Sequence, residues 1–315
     1  MTTNALENIN ELENQLNKYI LGQNKIINYI TIGLLSSGHI LLEGVPGTAK
    51  TSLVKVLAKL IDAQFNRIQL TPDMMPSDIT GNSIYDLNSK TFHLHKGPIF
   101  TNIVLADEIN RTPPKTQSAL LEAMEEKHVT IDGQTMNLPE FFMVIATQNS
   151  IEFEGTYPLP EAQLDRFMFK LNFSYPDTDN EIAMLKLWQF NKTTSLLKDI
   201  NSILQVDDIK THKENIKSVK VENSIFEYLV RLASLSRNLK QLKLGASPRA
   251  TLNWLNAAKA LAYMQNRDFV IPDDIKYLAE PILEHRLILT SQSELDGIKV
   301  KQIIQSILDQ VSVPR

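Results

Sequence analysis

The chain has 315 residues, of which 43% are apolar and 22% are charged, and this balance excludes a disordered, collagen-like or disulfide-stapled protein. Its net charge of −4 argues against a protein that coats nucleic acid by bulk electrostatics. The absence of cysteine excludes thiolate nucleophiles, cysteine-ligated zinc and iron–sulfur clusters. At the amino terminus, acidic residues stand where a signal peptide would be basic, and no apolar run approaches the ~18 residues of a membrane span. We therefore expect a cytoplasmic protein with no membrane insertion.

The first half of the chain, after an amphipathic amino-terminal helix, alternates short apolar and β-branched runs with helical patterns. This alternation is typical of a parallel sheet covered by helices on both faces. Two further segments, 83–95 and 129–138, each place two short runs around a turn and predict β-hairpins. His93 and His95 lie on one strand face of the first hairpin, but the absence of a nearby third ligand favours ordinary strand residues over a metal site.

The apolar spacing becomes helical from residue 176 onward. Ile225, Tyr228 and Leu232, for example, recur every three or four positions. Ser247 and Pro248 have the order of a helix N-cap and a first-turn proline. We therefore predict two domains, an α/β domain over 1–175 and a helical domain over 176–315.

A loop typical of phosphate binding lies between a predicted strand at 39–43 and a predicted helix at 51–61. Its residues are Gly44, Val45, Pro46, Gly47, Thr48, Ala49, Lys50 and Thr51. The glycines allow backbone N–H groups to wrap a β-phosphate, Lys50 reaches the β- and γ-phosphates, and Thr51 offers a hydroxyl to Mg²⁺. Ala49 stands where a glycine is usual, which is a departure from the general pattern.

Polar residues follow two later strands. Asp107 and Glu108 end an apolar run, so that Asp107 can hold the hydration shell of Mg²⁺ while Glu108 orients and deprotonates an attacking water. Asn149 follows another strand, and its amide can hydrogen-bond the water or the γ-phosphate. Such residues are also common at ordinary strand ends, and it is the preceding phosphate loop that favours the catalytic interpretation.

These motifs resemble those of the MoxR family of AAA+ ATPases, in which alanine at position 49 is normal. The similar segments are the Walker A loop at 44–51, the Walker B strand and following helix at 107–126, sensor 1 at 146–149, the arginine-finger segment at 159–167 and the sensor 2 helix start at 245–250. The resemblance implies an AAA+ P-loop parallel sheet with two β-hairpin inserts, followed by a smaller all-helical lid domain. It also implies ATP and Mg²⁺ as ligands.

The resemblance further implies a nucleotide site between neighbouring subunits of a homo-oligomeric, usually hexameric, ring. Arg166 would reach the γ-phosphate bound to the next subunit. Arg249 would reach the γ-phosphate from the helical lid of the same chain that binds the nucleotide. A surface ion pair for Arg166 and a helix-start role for Arg249 are the plainer alternatives. Gly22 and Gln23 resemble the segment that lines the adenine pocket, although a turn between two helices explains them almost as well. For Arg111, contact with phosphate or with a neighbour stays open.

The family resemblance implies Mg-dependent ATP hydrolysis that drives remodelling, assembly or activation of partner proteins, with a von Willebrand factor A domain protein as partner. The alternative within the same fold is a chelatase-like ATPase subunit for metal or cofactor insertion. A nucleic-acid motor is less favoured, and we expect no nucleic-acid partner, because the hairpin tips at 88–90 and 132–134 are nearly neutral. A scaffold that binds ATP without turnover is disfavoured by Glu108 and Asn149.

Overall fold

A computed structural model describes residues 3–45, 47–149, 155–190 and 200–314. In chain order, its first half contains α1 (Thr3–Tyr19), α2 (Asn24–Leu35), β1 (Ile40–Gly44), α3 (Lys50–Leu60), β2 (Phe65–Gln69), α4 (Pro76–Thr80), β3 (Gly81–Asp86), β4 (Thr91–Lys96), β5 (Ile103–Asp107), α5 (Pro114–Glu126), β6 (His128–Ile131), β7 (Gln134–Asn137), β8 (Met143–Gln148), α6 (Glu161–Leu164) and β9 (Phe169–Phe173). A 3-10 turn at Ile109–Arg111 follows β5.

The second half contains α7 (Thr178–Phe190), α8 (Val206–Lys217), α9 (Asn223–Asn238), β10 (Leu242–Leu244), α10 (Pro248–Met264), α11 (Pro272–Leu283), β11 (Ile288–Leu289), α12 (Ser291–Leu295) and α13 (Val300–Gln310). Strands β10 and β11 form a short antiparallel ribbon. The predicted helical character of the second half is confirmed, and this ribbon is an addition that the sequence did not indicate, because strands of two and three residues are too short to produce an alternating pattern. Within the described residues, no helix combines the length and the apolar character needed to cross a membrane.

The central sheet has the strand order β2-β5-β8-β1-β9, and all neighbouring strands are parallel. Strand β5, the second in this order, is buried along its whole length, because helices cover both faces of the sheet. The predicted parallel sheet is therefore confirmed. Since the carboxyl ends of parallel strands meet at one edge, the ends of β1, β5 and β8 bring the residues that follow them together.

Both predicted hairpins are also confirmed. Strands β3 and β4 pair from Gly81 with Lys96 to Asp86 with Thr91. Strands β6 and β7 pair around Asp132 and Gly133, which both have positive φ, as a tight two-residue hairpin turn requires.

Two apolar clusters fill the interior, one on each face of the sheet. One lies between the sheet and α5 and contains side chains such as Leu120 and Val144. The other begins with α1, α2 and α3 and continues into the second half, so that Ile30 of α2 and Trp254 of α10 belong to the same cluster and are fully buried. The helices of the second half thus pack on the first half through a shared core.

Candidate functional site

A cavity of about 390 Å³ opens at the carboxyl edge of the central sheet. It is lined by Gly44, Gly47, Thr48, Ala49, Lys50, Thr51, Ser52, Arg67, Asp107, Glu108, Thr147, Gln148 and Asn149. The predicted phosphate loop, the two acids and the asparagine therefore converge on one space. Pro46 of the same loop lies outside the described residues.

The backbone of the loop is shaped by residues that accept unusual conformations. Gly44 lies so close to β9 that a Cβ there would sit 2.3 Å from the carbonyl oxygen of Phe173, so that only glycine fits. Gly47 and Ala49 have φ of +82° and +67°, and Ala49 immediately precedes α3. A left-handed residue at this position explains why the general pattern has glycine there; alanine costs about 1–2 kcal/mol in this conformation.

Lys50, the first residue of α3, turns its ammonium group back into the loop. Its Nζ donates to the carbonyl oxygens of Gly44 at 2.6 Å and Val45 at 3.0 Å. Burial lowers the pKa of Lys50, against the opposing effect of Asp107 and Glu108. A cation that is partly desolvated and faces two carboxylates is suited to an anionic ligand that binds between them.

Asp107 is nearly buried and held from two sides. Its Oδ1 accepts a hydrogen bond from the Thr147 hydroxyl at 2.5 Å, and its Oδ2 accepts from Arg67 Nε at 3.0 Å and Nη2 at 2.6 Å. The Thr147 hydroxyl in turn accepts from the backbone N–H of Glu108 at 2.9 Å. One threonine therefore fixes the relative position of the two acids.

Glu108 adopts a left-handed backbone conformation, with φ 61° and ψ 52°. Its Oε2 accepts from Gln69 Nε2 at 2.9 Å and forms an ion pair with Arg111 Nε at 3.2 Å. Strained conformations of this kind cost about 1–3 kcal/mol and are concentrated at functional sites. The carboxylate is thus held at the edge of the cavity by a strand on one side and the 3-10 turn on the other.

Asn149 lines the same cavity one residue after β8. Its backbone carbonyl accepts from Asn110 Nδ2 at 3.4 Å, and Asn110 is buried. The 3-10 turn after β5 therefore also positions the segment that carries Asn149.

Arg166 and Arg249 are not among the residues that line this cavity. Both instead bind Glu125 of α5, Arg166 through Nη2 at 3.2 Å from Oε2 and Arg249 through Nη2 to Oε1. Arg249 is therefore directed to Glu125 rather than to the cavity of its own chain, and its reach to the γ-phosphate stays a prediction. The physical reason is that α10 begins beside the segment that carries Arg166, because the Ser247 hydroxyl donates to the Asp165 carboxylate at 2.9 Å.

Arg286 fixes the same junction from the interior. Its buried guanidinium donates to Asp165 Oδ1 at 2.7 Å and to the carbonyl oxygens of Asp165, Phe167 and Met168. The residue pair Asp165–Arg166 is thereby anchored to the second half of the chain, and Arg166 and Arg249 lie side by side.

Neither Gly22 nor Gln23 is among the residues that line the first cavity. Gly22 has φ +74° in the turn between α1 and α2, and buried Gln23 donates from Nε2 to the carbonyl oxygen of Ser174 at 3.0 Å. Ser174 helps to line a cavity of about 270 Å³ that shares Gly44 and Val45 with the phosphate loop. Gln23 thus holds the backbone of one residue that lines a space next to the loop.

The histidines of the first hairpin have ordinary strand surroundings. His93 is within hydrogen-bond distance of Ser89 and Thr91 and lies 3.7 Å from Asp86. In the part of the chain that the structure describes, no cluster of three or more His, Asp or Glu residues is arranged to hold a metal ion.

Several side chains of the site were not predicted from the sequence. Arg67 and Gln69 are two residues apart on β2, so their side chains lie on the same face and contact the acids at the end of β5. This spacing of two is the pattern that could have indicated their place in the site. Thr147 lies inside the predicted sensor segment, but nothing in the sequence points to its hydrogen bond with Asp107. The roles of Glu125 and Arg286 can be recognised only from the structure, because their partners are distant in sequence.

The family model of the "ATPase family associated with various cellular activities (AAA)" matches residues 39–169, and the AAA lid domain model matches residues 235–307. The chain is 46% identical to the uncharacterized protein YeaC of Bacillus subtilis, over 95% of this chain and 92% of that protein. It is 42% identical to Chaperone MoxR1 of Mycobacterium tuberculosis, over 96% of this chain and 81% of that one. The chain belongs to the MoxR family of AAA+ ATPases. The resemblance seen in the motifs is thereby confirmed.

The fold of this MoxR-family chain also has a solved counterpart. A crystal structure from Cytophaga hutchinsonii is 42% identical and superposes with a TM-score of 0.91, covering 99% of this chain and 96% of that one. Within the MoxR-family chain, the AAA match contains the loop, both acids, Asn149 and Arg166, whereas Arg249 and Arg286 fall in the lid match. The shared ion pairs at Glu125 therefore join the two matched regions.

Proposed function

We propose that this MoxR-family protein hydrolyses Mg²⁺-bound ATP at the interfaces of a homo-oligomeric ring, with Arg166 and Arg249 both supplied by a neighbouring subunit. One observation carries the proposal. The cavity gathers Lys50, Asp107 and Glu108, whereas the two arginines lie together elsewhere, on Glu125. A second copy of the chain would bring the missing guanidinium groups to the cavity.

The residues present fit a nucleoside triphosphate and Mg²⁺. The loop backbone and the start of α3 offer N–H groups to phosphate, and Lys50 can exchange its two loop carbonyl partners for phosphate oxygens. Thr51 and Asp107 provide the hydroxyl and carboxylate oxygens that Mg²⁺ prefers, with water completing its shell. The cavity lined by Ser174, which Gln23 holds, adjoins the loop at Gly44 and is where the adenine base would lie.

Turnover requires a base, an orienting group and stabilisation of the developing charge. Glu108 accepts the proton of the attacking water, and its contacts with Gln69 and Arg111 hold the carboxylate at the cavity. Asn149 orients the water or the γ-phosphate by hydrogen bonding. Mg²⁺, when bound, neutralises charge on the phosphate oxygens. Arginine fingers are worth about 10³–10⁵ in rate, so the arginines of the neighbour would dominate the acceleration.

We further propose that this hydrolysis remodels or activates partner proteins in the cytoplasm, as the name of the relative Chaperone MoxR1 suggests for that protein. The family resemblance supports a hexamer and a partner with a von Willebrand factor A domain. The exposed side chains of the first hairpin support a polypeptide rather than a nucleic acid as client, because Tyr85, Leu87 and Phe92 are apolar and only Lys90 at its tip is basic.

The first experiment separates nucleotide binding from turnover. Lys50→Ala is expected to lose ATP binding, whereas Glu108→Gln is expected to bind ATP and to hydrolyse it at least 100-fold more slowly, since it keeps the shape but loses the base, and general bases contribute about 10²–10⁴. Fluorescent-nucleotide titration and phosphate release measure the two properties. Wild-type turnover by Glu108→Gln would contradict the role given to Glu108.

The second experiment locates the arginines. Arg166→Ala is expected to be inactive alone and to regain turnover when mixed with Glu108→Gln, whose own site is inactive but whose arginines are intact. A mixture of Arg166→Ala with Arg249→Ala tests whether Arg249 acts from the neighbour or within its own chain. If both arginines act from the neighbour, every interface in that mixture lacks one of them, and activity stays low. If Arg249 acts within its own chain, some interfaces are complete and activity returns, which would contradict the proposal for Arg249.

A further inference from the structure

Glu125 is the one carboxylate that the structure places between the two arginines, as far as the described residues go. It lies in the last turn of α5, and its side chain is 35% exposed. Each of its oxygens takes a different arginine, Oε2 binding Arg166 and Oε1 binding Arg249. The two guanidinium groups come from different halves of the chain, and Glu125 is the group that both of them contact.

The charges around this point explain why such a carboxylate is needed. Arg166, Arg249 and Arg286 bring three positive charges together, while Glu125 and Asp165 bring two negative ones. Like charges repel, and a long arginine side chain loses about 2 kcal/mol of rotamer entropy when it is held in one place. Without a shared anion the half-buried arginine side chains would therefore spread apart.

Backbone and side chains of the pair are held by different acids. Asp165 binds Arg286 and Ser247, and this fixes the backbone that precedes Arg166 together with the N-cap of the helix that carries Arg249. The side chains extend beyond those anchors, and Glu125 is the contact that fixes their ends. The geometry thus assigns a separate task to Glu125.

We propose that Glu125 is a positioning residue that holds Arg166 and Arg249 as a ready-made pair for the phosphate of a neighbouring subunit. This inference rests on the proposed function above. Each arginine uses one terminal nitrogen, Nη2, for Glu125, and a guanidinium carries five N–H donors in a planar fork. Both arginines can therefore bind phosphate oxygens while Glu125 keeps hold of them, and Glu125 itself does not touch the nucleotide.

The test uses the two sides of an interface. In a mixed ring of Glu108→Gln and Arg166→Ala, the first subunit donates arginines and the second provides the working ATP site. Glu125→Gln is added either to the donor or to the acceptor, and it keeps the size of the side chain but removes the charge. Glu122→Gln, an exposed position one turn earlier in the same helix, is the matched control. Turnover, KM for ATP and the size of the rings by light scattering are measured for each mixture.

Glu125→Gln in the donor is expected to lower the recovered kcat about tenfold, the effect of one weakened charged hydrogen bond, with KM for ATP and ring size little changed. The same change in the acceptor is expected to have no effect, and so is Glu122→Gln on either side. Glu125→Asp in the donor is expected to restore part of the rate, because it keeps the charge.

Each other result has a definite meaning. An equal loss from donor and acceptor, or no loss from the donor, overturns the positioning role and leaves the ATPase proposal standing. If the mixture of Glu108→Gln and Arg166→Ala without a change at Glu125 stays inactive although mixed rings form, the arginines do not act on the neighbouring subunit. The role of Glu125 fails with that result.

Discussion

Replacing Thr147 by valine should destabilise the protein although valine has the same shape. The Thr147 hydroxyl donates to Asp107 at 2.5 Å and accepts from the Glu108 N–H at 2.9 Å, and the residue is almost fully buried. A hydrogen bond to a charged group contributes about 1.5–3 kcal/mol, and an unsatisfied buried N–H costs about 1–3 kcal/mol. Allowing for the extra apolar burial of valine, we expect the free energy of unfolding to fall by about 2–4 kcal/mol.

Thr147→Ser is the control, because it keeps the hydroxyl and removes only a methyl group, for which we expect a loss of about 1 kcal/mol. Urea denaturation of the nucleotide-free protein measures both variants, with equal m-values required for the comparison. If packing dominated at this site, serine would be more harmful than valine. A serine variant less stable than the valine variant, or a valine variant within about 0.5 kcal/mol of wild type, would therefore refute the reasoning.

Two further predictions concern buried groups away from the cavity. Burial lowers the pKa of His39 to about 4, while its ring contacts the Met124 carbonyl and the Val144 N–H. As pH falls, the unfolded chain binds a proton at His39 before the folded protein does, so stability is lost below about pH 6.5. Between about pH 7.5 and 5, the free energy of unfolding should therefore drop about 2 kcal/mol more in wild type than in His39→Gln. Equal drops in the two proteins would contradict this prediction. Arg286→Met should cost about 3–5 kcal/mol because it leaves the Asp165 carboxylate without its buried partner. In a double-mutant cycle, Arg286→Met should lower the free energy of unfolding much less when Asp165→Asn is already present. If the losses of the two single variants simply add in the double variant, the coupling is disproved.

The sequence was most informative where function depends on neighbouring residues or on strand ends. The phosphate loop is contiguous, so its composition and its place between a strand and a helix were enough to predict it. The adjacent acids Asp107 and Glu108 are distant from Asn149 in sequence, but both places are the ends of parallel strands, and that rule brings them to one edge. The same rule says nothing about which side chains then bind one another.

The position of Arg249 could not be predicted in this way. A serine followed by a proline marks where α10 begins, but the direction in which the helix presents its first turn depends on contacts with remote segments. Those contacts are Ser247 with Asp165 and Arg249 with Glu125, which are separated by 82 and 124 positions. A helix start is encoded locally, whereas its partner is chosen by tertiary packing.

The shared apolar core has a mechanical consequence. Swinging the lid helices away from their own sheet would expose side chains such as Ile30 and Trp254, which are fully buried in one cluster. Each large apolar side chain exposed in this way costs about 1.5–3 kcal/mol, so a hinge at this place would be stiff. In the function proposed above, ATP binding and release would therefore turn each subunit as a rigid block. The proposed ring of such blocks would change shape at the joints between subunits, which are also the places where its arginines would meet the nucleotide.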